Sequence, residues 1–311
     1  MSRFKRKNKL KADAILGADW HIRPDVPVCR TDDFFQAMSG KLDFILNLSK
    51  EHDCPILLAG DIGRRPLNRG WPTWLLEWTI DKFKGHNIIA IPGQHDLPGH
   101  RIDLFEESGM GVLTVAGAIK TIFEPTTISR IASFGLYPFP YGQEIKSYET
   151  MAWPLNVAMT HQMIIENKPL WPDQDAPKGH QILEKFKEYN LILSGDNHNA
   201  FTVEYEGRWL VNPGSLMRTT ADQIDHKPRV YLWYAETNTI EAVYLPIEQN
   251  VISRTHIEIA KNRENRNKAY IERMNHDIEI DLSYTNNLEN YFKEFRTEKP
   301  IKDRVWESVP K

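Results

Sequence analysis

The chain has 311 residues, 41% of them hydrophobic and 26% charged, and its 39 basic against 42 acidic side chains leave a formal charge of −3. This balance excludes a disordered, collagenous or coiled-coil chain and a bulk electrostatic binder of nucleic acid, while the length allows one large core with an appendage. Cys29 and Cys54 are too few for a disulfide framework and too far apart for a CxxC pair, so a reducing, cytoplasmic setting is expected.

Residues 1–11 carry six basic side chains and no acid. They read as a solvated arm in preference to a clamp on a phosphate backbone. Asp13, Asp19, His21, Arg23 and Asp25 then interrupt any apolar run, which argues against a signal peptide. No stretch approaches the ~20 apolar residues of a bilayer span, so no membrane partner is expected. Residues 14–18, 56–60 and 88–92 are short apolar runs, each closing on a polar cluster, and read as buried strands. Between them, residues 32–50 place Phe34, Phe35, Met38, Leu42, Ile45, Leu46 and Leu48 at helical spacing, and 72–84 do so with Trp74, Leu75, Trp78 and Phe83. Strand, helix, strand, helix, strand predicts an α/β fold.

Residues 155–160 and 191–195 repeat the strand pattern on either side of a helix predicted over 179–188. Residues 201–205, 208–211, 229–234 and 239–245 alternate as hairpin strands, so the last part of the sheet should be antiparallel. A boundary is expected near residue 250, giving a basic arm (1–11), a main domain (12–250) and a C-terminal extension (251–311). In that extension, 261–276 is a charged stretch with few anchors. Leu288, Tyr291, Phe292 and Phe295 follow on one apolar helical face, for which packing within its own domain is favoured over docking a partner.

In α/β sheets, ligands bind beyond the carboxyl ends of strands. There the sequence places Asp19 and His21, Asp61, Gln94 with His95 and Asp96, His161, and Asp196 with His198. One such Asp is ordinarily a turn or cap residue, and one such His a core or surface group. Five strand ends together supply oxygen and nitrogen donors without thiolates, which suits hard or borderline divalent cations, and this many donors allow two metals ~3.5–4 Å apart.

These residues also resemble a known family. Asp19-Trp20-His21, Gly60-Asp61, Gly93-Gln94-His95-Asp96 and Gly195-Asp196-Asn197-His198 look like the DxH, GD, GNHD and GHxH motifs of the calcineurin-like metallophosphoesterases, in the same order and spacing. Asn212-Pro213-Gly214-Ser215 is similar to the NPGS turn near the end of such domains. Within the superfamily, the chain is most similar to the nuclease subunits of SbcD-type repair exonucleases and their bacteriophage relatives. The resemblance implies a four-layer α/β/β/α sandwich with a small C-terminal extension, and two divalent metal ions. Asp19, His21, Asp61 and His198 would hold one, and Asp61, Gln94, His161 and Asp196 the other, with Asp61 as the bridge. His95 would protonate the reacting phosphate or stabilise charge on it, and Asp96 would fix its orientation.

Two residues depart from the family pattern. Gln94 stands where the family has Asn, and Asp196 replaces the first His of GHxH. The second change makes the site harder and favours Mn²⁺, with Mg²⁺ or Fe²⁺ as alternatives, over Zn²⁺.

The expected function is a metal-dependent phosphodiesterase of the SbcD type, a DNA nuclease of exonuclease or endonuclease action. The alternatives are a phosphodiesterase or phosphatase for nucleotides or other small molecules, and a catalytically weak DNA- or protein-binding subunit. Arg23, Arg64 and Arg65 share loops with the ligands and could position phosphate oxygens, against the alternative of ordinary surface charge. Trp71 could stack a base, whereas core packing is favoured for Trp74 and Trp78. By analogy, DNA, an SbcC-type ATPase and a second copy of the chain are the expected partners.

Overall fold

Strands of four apolar residues are buried on both sides, and the alternation of their side chains decides which layer each face meets. The computed structural model of the protein describes residues 10–64, 70–129, 132–148, 153–277 and 284–309, so most of the basic arm lies outside the described residues. Strands β1 (Ala14–Gly17), β2 (Ile56–Ala59) and β3 (Ile88–Ile91) pair in parallel and are wholly buried. On one face, Ile15, Ile56, Leu58, Ile88 and Ala90 join a core with helices α1 (Phe34–His52), α2 (Thr73–Phe83) and α3 (Gly109–Val115). On the other, Ala14, Leu16, Leu57, Ala59, Ile89 and Ile91 enter a core shared with a second sheet.

The chain continues through β4 (Lys120–Thr121), β5 (Thr126–Ile128), β6 (Phe134–Phe139), β7 (Asn156–Thr160), α4 (Gly179–Lys185), β8 (Leu191–Ser194), β9 (Phe201–Tyr205), β10 (Arg208–Asn212), β11 (Arg229–Tyr234) and β12 (Thr239–Tyr244). The first six-stranded sheet has the order β12-β11-β1-β2-β3-β4, and the second β5-β6-β7-β8-β10-β9. Val157, Met159, Leu191 and Leu193 meet the first sheet, while Ala158 and Ile192 face outward to Ile182 and Leu183 of α4. Four layers result, helices over sheet over sheet over helix, as the family resemblance implies.

Local chemistry sets the element ends. Asp33 caps α1 by accepting a hydrogen bond from the Gln36 amide at 3.0 Å, and Asp53, at φ 51°, turns the chain out of the helix. Gly135 and Pro138 hide β6 from a sequence reading, yet the strand forms in parallel beside β7. The helix predicted over 179–188 ends at Lys185. The late strands are not wholly antiparallel as predicted, because β10 pairs in parallel with β8 while β9 pairs antiparallel with β10.

The chain divides into two compact units, Met1–Ser253 and Arg254–Lys311. The first runs past residue 250 because Ser253 donates its amide to the Cys29 carbonyl at 2.7 Å and Thr31 donates to Val251 at 3.1 Å. The second holds α5 (Thr255–Asp277), which covers the charged stretch, then α6 (Tyr284–Glu294) and α7 (Lys299–Ser308). Of the apolar face predicted there, Phe292 is buried with its ring against Trp306 of the same unit, while Tyr291 and Phe295 are exposed. Among the described residues, no helix is long and apolar enough to cross a membrane.

Candidate metal centre

Parallel strands deliver their carboxyl ends to a common edge. The ends of β1, β2 and β3 in one sheet and of β7 and β8 in the other therefore bring Asp19, His21, Asp61, Gln94, His95, His161, Asp196 and His198 into one cluster. Backbone bonds lace these loops together: Asp19 donates to the Gly60 carbonyl at 3.1 Å, His21 to that of Asp61 at 3.0 Å, and the Asp196 amide to both carboxylate oxygens of Asp19 at 3.2 Å. Asp19, His21, Asp61 and Asp196 all take left-handed backbone, with φ of 52°, 46°, 52° and 78°. Such conformations cost energy in non-glycine residues and concentrate where side chains must be aimed. The approach is close enough to require glycine at two points. A Cβ on Gly93 would stand 2.2 Å from Asp61 Oδ1, and one on Gly60 2.3 Å from His161 Nδ1.

The donor atoms form three interlocking triads, Asp19–His21–His198, His21–Asp61–His95 and Asp19–Asp61–His161, each with its atoms within 4.8 Å of one another. Asp19, His21, Asp61 and His161 are buried and make the floor, while Gln94, His95, Asp196 and His198 are partly exposed and make the rim. His161 Nδ1 bonds the Ala59 carbonyl at 2.7 Å, which puts the hydrogen on Nδ1 and presents Nε2 to Asp61 Oδ2 at 3.5 Å. Asp61 Oδ1 accepts from the His95 amide at 2.8 Å. Asp61 Oδ2, His161 Nε2, His21 Nδ1 and Gln94 Oε1 are buried without a hydrogen-bond partner. Buried polar atoms are ordinarily satisfied, and convergent oxygen and nitrogen donors left over in this way fit divalent cations.

The electrostatics are those of a crowded, dry site. Burial raises Asp19 well above the ordinary carboxylate range, and repulsion from Asp61 and Asp196 adds to the rise. Burial would raise Asp61 as well, but His161 and His21 hold it below that range. Burial lowers His21 to about 3 and also lowers His95 and His198. His161 is the exception. Burial opposes its charge, yet Asp61, Asp19 and the Ala59 carbonyl carry its pKa up to about 10.

Several predicted roles take a different form. The Asp96 carboxylate does not hold the His95 ring. It accepts from the amides of Gly93 at 2.9 Å, Gly63 at 3.1 Å and Ile62 at 3.3 Å, so it ties the two ligand loops together. The His95 ring packs edge-on to His21, with centroids 5.2 Å apart. Gln94 does not simply stand in for Asn, since its Nε2 donates to Asp196 Oδ1 at 2.7 Å. Arg23 is buried and its guanidinium is paired with Asp25 through two nitrogens. Arg64 is exposed, and its charge is felt at both His21 and His95. Arg65 lies outside the described residues.

Trp71 sits against Gly63 and Gly109, where a Cβ would meet its indole at 1.8 and 2.6 Å, and, half-buried, it lines a small pocket with His95. Trp74 is 49% exposed, less buried than its spacing predicts, with its edge on Phe35. One positioning residue escaped the sequence reading. Asn212 Nδ2 bonds the carbonyls of Asn197 at 2.6 Å and Asn199 at 2.8 Å, and so fixes the loop that presents His198. Its place at the head of the Asn212-Pro213-Gly214-Ser215 turn was the available signal.

No family model and no curated protein matches the chain. Among solved structures it is similar to an archaeal phosphodiesterase, at 13% identity and TM-score 0.39 over 75% of this chain and 99% of that one. It is also similar to a protein from Staphylococcus aureus assigned as a 5′-nucleotidase, at 13% identity and TM-score 0.47 over 81% and 58%. A third is the phosphopantetheinyl hydrolase PptH of Mycobacterium tuberculosis, at 13% identity and TM-score 0.40 over 61% and 85%. These are distant likenesses of chain trace, and the chemistry of this chain follows from its own side chains.

Proposed function

We propose that the protein is a metal-dependent phosphodiesterase whose substrate is nucleic acid, DNA in the first instance. The observation that carries the metal dependence is the set of interlocking triads, two of which contain Asp61, with donor atoms from both sheets left unpartnered around it, while the choice of DNA rests on the resemblance of the sequence motifs. Asp19, His21, Asp61 and His198 would hold one divalent ion, and Asp61, Gln94, His161 and Asp196 a second. When bound, two such ions supply Lewis acidity toward phosphate oxygens and ease deprotonation of the attacking water.

The chain's own groups account for the rest. The Ala59 carbonyl keeps a hydrogen on His161 Nδ1, so exchange of the Nε2 proton for a cation would leave the tautomer that offers Nε2, and the dry floor strengthens each charge interaction. Burial lowers the pKa of His95, so near neutral pH it meets the phosphate as a neutral imidazole. It thus acts as an N–H donor to developing negative charge in preference to a proton source. Exposed Arg64 is the cation at the rim best able to hold a phosphate oxygen, because Arg23 is already engaged by Asp25.

A second reading, a phosphodiesterase for nucleotide-sized molecules, is favoured by a cleft of about 430 Å³ that shares His161 and Asp196 with the cluster. The two separate when metal-stripped protein is resupplied with Mn²⁺ and given end-labelled single- and double-stranded DNA beside mononucleotide diesters. Cleavage of DNA supports the first. Turnover of the small diesters alone supports the second.

A further inference from the structure

The cleft beside the cluster opens where the loops after β6, β7 and β8 meet α4. His161 and Asp196 form one wall of it, so a group seated there is joined to whatever phosphate the cluster holds. Ile145 and Phe186 are buried in the floor, and Met163 and Tyr141 line it half-buried. The Tyr141 ring lies 6.0 Å from His100, which lies 6.3 Å from His95, so an aromatic path runs from the proposed phosphate-binding imidazole to the cleft.

Apart from His161 and Asp196 of the cluster, the ionic side chains of the cleft are Glu144 and Lys185, whose charges cancel, and the Lys185 ammonium sits over the Phe186 ring at 4.9 Å. This lining disfavours a second phosphate. It suits a flat, uncharged group with an apolar face and a polar edge, which can meet the side-chain oxygen of Gln162, whose Nε2 donates to the Gln143 carbonyl at 3.0 Å. At about 430 Å³ the cleft stands near the small end of ligand sites, enough for one nucleoside and too small for a duplex end.

We infer that this cleft binds a single unpaired nucleoside attached to the scissile phosphate, with Tyr141 as its stacking face. The inference rests on the phosphodiesterase function proposed above. The nucleoside could belong to the end of a strand or to a free nucleotide diester.

The test compares thymidine 5′-(4-nitrophenyl phosphate) with methyl 4-nitrophenyl phosphate, which share a leaving group, on Mn²⁺-loaded full-length protein. The nucleoside ester should be preferred in kcat/KM. In Met163→Trp, which fills the cleft, and in Tyr141→Leu, which removes the ring, that preference should fall roughly tenfold or more, the size of one lost stacking contact. A wild-type preference near unity, or one untouched in both variants, overturns the inference. Faster cleavage of a duplex with frayed ends than of the same duplex with blunt ends assigns the nucleoside to a DNA strand, and equal rates assign it to free nucleotides.

If neither ester turns over, the phosphodiesterase function fails, and the cleft is judged by saturation-transfer NMR with thymidine on the full chain. Binding to the wild type that Met163→Trp abolishes upholds the cleft. No binding to the wild type, or equal binding to both, rejects it.

Discussion

The Gln94 amide donates from Nε2 to Asp196 Oδ1 at 2.7 Å, which joins the two positions where the sequence differs from the motifs it resembles. The longer side chain at 94 reaches the carboxylate that replaces an imidazole at 196, and Gln94 Oε1 is left buried and unpartnered. The two departures thus form one unit. Gln94→Asn and Asp196→His should each weaken Mn²⁺ binding, and the double variant should recover part of the loss. Isothermal titration of the full cycle should give a coupling of ~0.5–3 kcal/mol. Strictly additive losses would show that the contact does not matter.

Asp61 Oδ2 faces His161 Nε2 at 3.5 Å in the dry floor, where the carboxylate is held below its ordinary range and the imidazole is raised to about 10. Asp61→Asn leaves a buried imidazolium without its main counter-charge. Breaking one side of such a pair costs about 3–5 kcal/mol, so the melting temperature of the metal-free variant should fall. Equilibrium dialysis should also find Mn²⁺ bound at a lower ratio, because both proposed ions share this residue. An unchanged ratio would remove Asp61 from the bridging position.

Asp96 satisfies three buried amides, those of Gly93, Gly63 and Ile62. Asp96→Ala orphans all three, at ~1–3 kcal/mol for each that water cannot reach. Asp96→Asn keeps one acceptor and should lose less. Urea unfolding of the metal-free forms should rank wild type above Asn and Asn above Ala. Equal stability of the Asn and Ala forms would refute the loop-tying role.

Lys41 of α1 is buried beside Arg30 and Arg218, with Asp32 and Glu248 also lining its pocket. Burial, together with the two guanidinium groups, lowers its pKa from 10.5 to about 8. The sign follows from proton counting, since between pH 8 and 10.5 the unfolded chain binds the proton more than the fold does. The full penalty is therefore present below about pH 8 and is relieved as the pH rises through the unfolded value. Lys41→Met should stabilise the protein by roughly 1–3 kcal/mol at pH 7 and by less at pH 10, read by urea unfolding at each pH. A gain independent of pH would mean that packing, not charge, sets the cost.

Much of this architecture was legible in the sequence, and the parts that were not have physical reasons. Apolar runs such as 56–60 closing on Asp61 gave strands and site together, because a buried parallel strand must end where polar residues begin. Strand β6 was hidden by Gly135 and Pro138, whose local preferences are overridden by pairing with β7. The role that the motif resemblance implies for Asp96 is not the one it has in the fold, because the turn aims its carboxylate back at the amides of Gly63 and Gly93. Neither the contact between Gln94 and Asp196 nor the cleft under Tyr141 could be read, because each depends on loops more than a hundred or about twenty residues apart meeting in space.

The most direct test of the account is hydrolysis of bis(4-nitrophenyl) phosphate by metal-stripped protein before and after addition of Mn²⁺, with His95→Ala alongside. Turnover should appear with the metal and fall by ~10²–10³-fold in His95→Ala, while that variant still binds Mn²⁺. No turnover with any divalent cation, or undiminished turnover in His95→Ala, would contradict it.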